Sequence, residues 1–119
     1  MNHHITQIRS RDVLFVRVKS IPNKAAIVSR NVFRDDAIRF PQESQNNFPH
    51  HYYFIKSNKA HQYVKRGVRY LEIERDSLGR SMNVVVGHPA LLHFKIPSGV
   101  WRIYYSQQYK KGSVKKVRG

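Results

Sequence analysis

In no 15-residue window of this chain do the apolar side chains recur with the 3.6-residue spacing of an amphipathic helix; where they are periodic, the period is two. A chain that offers no helical stripe to bury has to build its core from strands. The clearest case is Val100-Trp101-Arg102-Ile103-Tyr104-Tyr105-Ser106. Alternation sets Trp101, Ile103 and Tyr105 on one face and Arg102, Tyr104 and Ser106 on the other. Asp12 to Val18 is short, β-branched and apolar, which predicts a strand buried on most of both faces. Ile21-Pro22-Asn23 turns the chain, and Ala25 to Ser29 is a candidate short strand.

From Asn31 to Pro49 the periodicity fails; two prolines, the pair Asp35-Asp36 and Gln-Glu-Ser-Gln-Asn-Asn predict a long loop. Strands resume at His51 to Lys56 and around His61 to Val64, followed by a turn at Lys65-Arg66-Gly67. Val68 to Arg75 alternates, with Leu71 and Ile73 on one face and Tyr70 and Glu72 on the other. Asp76-Ser77-Leu78-Gly79-Arg80 reads as a hairpin connection across which Met82 to Val86 pairs back. His93 to Ile96 then alternates into Pro97-Ser98-Gly99. Short strands with frequent turn signals define the expectation: mainly β, a small single-domain barrel or sandwich over residues 1–109, a long loop at 31–49 and a basic tail at 110–119. The size, 119 residues, suits one core.

Charge then narrows the partner. Lys and Arg number 22 against 7 acidic residues, a formal net charge of +15. Self-repulsion on that scale opposes compaction and points to a polyanion that offsets it, nucleic acid ahead of an anionic membrane. Every acidic residue lies before position 77, whereas Arg80, Lys95, Arg102, Lys110, Lys111, Lys115, Lys116 and Arg118 follow it. The chain has no cysteine, which excludes disulfides and thiolate chemistry and fits a reducing compartment. Met-Asn-His-His-Ile-Thr has no signal-peptide character, and no run approaches the roughly 20 apolar residues of a membrane span, so a cytoplasmic protein without a membrane partner is expected.

Aromatic residues interleave with the basic ones: Tyr52, Tyr53, Tyr104, Tyr105 and Tyr109 lie near Lys56, Arg102, Lys110 and Lys111. Aromatic faces stack on unpaired bases while cations meet phosphates, a mixture that suits single-stranded or looped RNA. Alternation assigns Tyr105 to the core and leaves Tyr104 beside Arg102 as the surface platform. Five basic residues between Lys110 and Gly119, with Gly112 and Ser113, read as an arm that orders on a polyanion.

Enzymatic readings are weaker. His88 or His93 with Arg102 and Tyr104 would be the acid–base set of a small ribonuclease. A metal site would need all-histidine ligation from distant segments, because no cysteine or nearby acid accompanies His88 and His93. Glu72, Glu74 and Asp76 are explained by ion pairs with Arg69, Arg75 and Arg80. The six glycines form no phosphate loop.

Two stretches resemble a family of small, uncharacterised bacterial and phage-associated proteins. Arg9 to Val18 followed by Ile21-Pro22 is similar to the family's R-x-G-D-V-L-L-x-x-V and nearby proline. Tyr70-Leu71-Glu72-Ile73, Ile96-Pro97-Ser98-Gly99-Val100-Trp101-Arg102-Ile103 and Gln107-Gln108-Tyr109 are similar, in order, to its C-terminal part with L-P-P-G-x-Y-x-V and Q-R-E-Y. Val114-Lys115-Lys116-Val117 resembles its V-R-R-V ending. The family's histidine segments, G-H-x-H and H-x-E-H, are reduced here to Pro49-His50-His51-Tyr52 and His88-Pro89-Ala90-Leu91. The resemblance therefore implies a β-rich fold and no activity.

The expectation is a nucleic-acid-binding protein, RNA favoured, acting as an accessory or structural ribonucleoprotein component without cofactor, metal or catalytic residues. Its contacts would be Lys56, Arg80, Lys95, Arg102, Tyr104, Lys110, Lys111, Lys115, Lys116 and Arg118. The alternatives are a small basic ribonuclease or toxin and a phage-type structural or assembly protein. Oligomeric state is not encoded in any of these patterns.

Overall fold

The computed structural model describes residues 5–10, 13–28, 37–41, 52–89 and 93–105, and all regular structure among them is β. In chain order the strands are β1 (Gln7–Ser10), β2 (Val13–Val18), β3 (Ala26–Ile27), β4 (Ile38–Pro41), β5 (Tyr52–Ile55), β6 (Ala60–Lys65), β7 (Val68–Ile73), β8 (Asn83–Val86), β9 (Phe94–Pro97) and β10 (Gly99–Tyr105). Six of them form one antiparallel sheet in the order β1-β2-β10-β7-β6-β3. The pairs β4–β5 and β8–β9 form the facing layer, joined where Phe54 and Gly87 exchange two backbone hydrogen bonds of 2.9 Å. The result is a sandwich rather than a closed barrel. Among the described residues no helix is long and apolar enough to cross a membrane.

The period-two pattern explains the layers. From the large sheet come Val13, Phe15, Leu71, Ile73, Trp101, Ile103 and Tyr105; from the small one come Ile38, Phe40, Tyr53, Ile55, Val84, Val86 and Ile96. Phe15 meets Phe40 edge-on at 5.9 Å and Phe94 at 5.8 Å, so the rings interlock across the interface. Polar ties span it as well. The Tyr53 hydroxyl donates to the Ser10 carbonyl at 3.0 Å, and buried Gln62 donates to the Arg39 carbonyl at 2.9 Å while accepting from Arg69.

Arg66 and Gly67 carry φ of 52° and 78° and join β6 to β7 as a two-residue hairpin, where the sequence placed the turn. At the crossing from β9 to β10, Gly99 has φ of 141°, and a side chain there would lie 2.1 Å from Arg17 Nη1. That space is needed because the Arg17 guanidinium covers the Trp101 ring at 4.3 Å and donates to the carbonyls of Ile5 and Ser98.

Four sequence expectations change. The stretch read as loop from 31 to 49 contains β4, which tolerates Pro41 because it is an edge strand and needs no donor on its outer side. The strand after Asp76 to Arg80 does not pair back on β7. Asp76 N–H donates to the Arg80 carbonyl and Gly79 N–H to the Asp76 carbonyl, so the turn closes on itself and delivers β8 to the other layer. The edge of β7 thus left open is taken by β10. β1 was not anticipated, since its Gln and Arg face outward and only Ile8 packs on the core. Leu14, Val16 and Val18 are half-buried rather than enclosed, so β2 buries fully only Val13 and Phe15.

Candidate functional site

Every residue that points into the sandwich leaves a neighbour pointing out, and the register of the large sheet aligns those outward residues in rows. Tyr63 is opposite Tyr70, Tyr70 opposite Arg102, and Arg102 opposite Val16, so one row across the sheet reads Tyr63-Tyr70-Arg102-Val16. Strands lie about 4.8 Å apart, which spaces these side chains at the same interval. Beside that row Tyr104 is opposite Leu14, and Leu14 is opposite Arg9. On the other side Val100 is opposite both Val18 and Glu72, and Glu72 is opposite His61.

Arg102 is the centre of this face. Its guanidinium lies over the Tyr104 ring at 4.3 Å, and its buried Nε has no hydrogen-bond partner among the described residues. Tyr104 is 36% exposed. The Tyr63 hydroxyl donates to Glu72 at 3.2 Å, and burial, followed by the neighbouring Glu72, pushes that phenol up from its ordinary value. Lys65 is held by the Asn23 carbonyl at 2.6 Å.

The described carboxylates gather at one side of the face. Glu72 takes Tyr63, Glu74 takes His61 and Lys59, and Asp76 takes Arg80 at 3.2 Å. Only the last is an ion pair expected from sequence; Arg69 turns inward to Gln62 instead. Arg80 is therefore an exposed turn residue with its charge compensated.

The structure splits the remaining expected contacts. Lys56 and Lys95 lie on the outer face of the small sheet, across the core from Arg102 and Tyr104. Lys110, Lys111, Lys115, Lys116 and Arg118 lie outside the described residues, as does Tyr109. Tyr53 and Tyr105 are core. Tyr63 and Tyr70 are additions: the alternation of β7 marked Tyr70 as outward, yet only the pairing of β7 with β10 places it beside Arg102.

The two histidines of the ribonuclease reading, His88 and His93, do not converge with that face. His88 is buried edge-on against the Tyr53 ring at 5.0 Å, while His93 is exposed near Phe54 on the small sheet. The ribonuclease set of His88, His93, Arg102 and Tyr104 is thus divided between the core and two opposite surfaces. Among the described residues no three His, Asp or Glu side chains gather to hold a metal ion. Comparison of the chain with protein-family models, curated proteins and solved structures finds no match in any of the three.

Proposed function

We propose that this chain binds single-stranded nucleic acid, RNA in preference to DNA, on the outer face of the large sheet, as an accessory or structural component of a ribonucleoprotein. The observation that carries the reading is the row Tyr63-Tyr70-Arg102 with Tyr104 under the Arg102 guanidinium. Rings on a sheet can stack on splayed bases, each stack contributing about 1–3 kcal/mol. The Arg102 guanidinium beside the Tyr104 ring sets a cation for phosphate next to an aromatic surface for a base. Glu72 and Glu74 repel phosphate, so the backbone would track the opposite side, past Tyr104 toward Arg9 and Lys65. A net charge of +15 supplies the long-range attraction, to which the basic tail would add.

The test is fluorescence anisotropy with a labelled oligouridylate. Tyr104→Ala and Tyr70→Ala should each weaken binding roughly tenfold, as the loss of one stack requires. Leu78→Ala, an exposed residue of the turn after β7, should leave affinity unchanged. Equal affinities for all three variants would defeat the assignment of this face.

A second reading has its own observation: Leu14, Val16, Val18 and Val100 are half-buried on the same face and Ile27 is 62% exposed. Such a surface also suits assembly with protein. Light scattering without nucleic acid separates the two, since self-assembly through this face would be lost on Val16→Lys. The resemblance to the uncharacterised family adds a fold and no competing activity.

A further inference from the structure

The outer face of the small sheet carries its own groove, of about 410 Å³, lined by Phe54, Lys56, Asn83, Val85, Gly87 and His93 among others. Its floor is built by an absent side chain. A Cβ at residue 87 would come within 2.6 Å of the Phe54 ring, so glycine there lets the ring lie flat across the β5–β8 junction. His93 meets that ring edge-on at 6.1 Å, and Lys56 Nζ stands 5.8 Å from its centroid. Lys95 follows on β9, paired with Val85. Among the described residues no carboxylate lines the groove, and the described acids, Glu72, Glu74 and Asp76, all belong to β7 or the turn after it.

A flat aromatic surface, a second ring at its edge and an ammonium group within the span of one nucleotide form a complementary set for a base joined to a phosphate. We infer that this groove is a second nucleic-acid site, taking one base–phosphate unit of a single strand with the base against Phe54 and His93 and the phosphate at Lys56. The inference rests on the function proposed above and extends it. With sites on both outer faces, one copy of the domain holds two strands at once and acts as a bridge. It also gives a role to Lys56, which the fold separates from Arg102 and Tyr104.

The experiment uses the full chain with two short oligouridylates, one carrying a donor fluorophore and one an acceptor. Sensitised emission at equimolar protein should fall roughly fivefold or more with Lys56→Glu and with His93→Ala, because losing one contact removes the second strand. Both substitutions are at exposed positions, so circular dichroism should be unchanged. Leu78→Ala, outside both sites, should leave sensitised emission and single-strand anisotropy at the parent values. Energy transfer that survives Lys56→Glu would mean that strands meet through oligomerisation, overturning the groove site while leaving the proposed function standing. Competition by uridine monophosphate as effective per nucleotide as the oligomer would make it a free-nucleotide site and overturn the bridge. Absence of strand binding to the parent chain itself would remove the proposed function, and this inference with it.

Discussion

Two tyrosine hydroxyls in the core face opposite circumstances. Tyr53 donates to a backbone carbonyl across the layers, whereas Tyr105 Oη is buried with no partner among the described residues. Burial pushes the Tyr105 phenol well above its ordinary value, with Arg69 opposing only in part. Deleting a satisfied hydroxyl costs about 0.5–1.5 kcal/mol, while deleting an unsatisfied one recovers its desolvation cost. Tyr53→Phe should therefore lower the denaturant midpoint and Tyr105→Phe should hold or raise it; equal losses in both would show that Tyr105 has a partner. Asp76 offers a pH counterpart. Its Oδ1 accepts from the backbone N–H groups of Arg80 and Leu78, and the first of these leads in holding the carboxyl below its ordinary value. Since the folded-state value is depressed, the stabilisation is complete above the usual aspartate range and is lost as pH falls from there through the depressed folded-state value. The stability gap between the parent and Asp76→Asn should narrow as pH drops from 7 toward about 3. A gap that is constant over that range would assign the effect to shape rather than charge.

At the scale of elements, Ser98 joins three of them. Its hydroxyl accepts from the Met82 N–H at 2.9 Å and donates to the Glu74 carbonyl at 2.8 Å, and its own N–H donates to the Met82 carbonyl. The end of β7, the start of β8 and the passage from β9 to β10 are pinned at one buried side chain. Ser98→Ala strands a donor and an acceptor, for an expected loss of about 1–3 kcal/mol read by thermal or denaturant unfolding. A loss below about 0.5 kcal/mol would mean that water replaces the hydroxyl freely. The same junction shows what was legible beforehand. Strand faces follow from alternation, which is local, so Trp101, Ile103 and Tyr105 fall inward as expected. Partnership is not local: Asp76 to Arg80 carries hairpin residues, and only the competition of β10 for the edge of β7 decides that β8 goes elsewhere. The candidate site inherits that limit. Arg102 and Tyr104 were visible as i and i+2 on one strand, whereas Tyr70 joins them through a pairing 32 residues away in sequence, and Tyr63 only through its hairpin pairing with Tyr70. Lys95 was chosen by charge and Lys56 by charge beside Tyr52 and Tyr53, and neither signal says which sheet will carry the residue.

For the molecule as a whole, the excess of positive charge predicts a steep salt dependence. With on the order of 6–10 phosphate contacts, affinity for single strands should fall by about 10³–10⁵ between 50 and 200 mM salt. Replacing Lys110, Lys111, Lys115, Lys116 and Arg118 by serine should flatten that slope. A flat parent profile would argue against phosphate as the partner. The position of β10 has a different consequence, in the order of events during synthesis. The strand that lies between β2 and β7 is the last of the ten to be made. Until it emerges from the ribosome, both neighbours present bare edges, and the equivalent strand of another copy fits the gap as well as the chain's own. Slow or crowded translation should therefore favour strand-exchanged dimers, detectable by size-exclusion chromatography after expression at high and low rate; a dimer fraction independent of rate would indicate that the nascent halves keep each other covered.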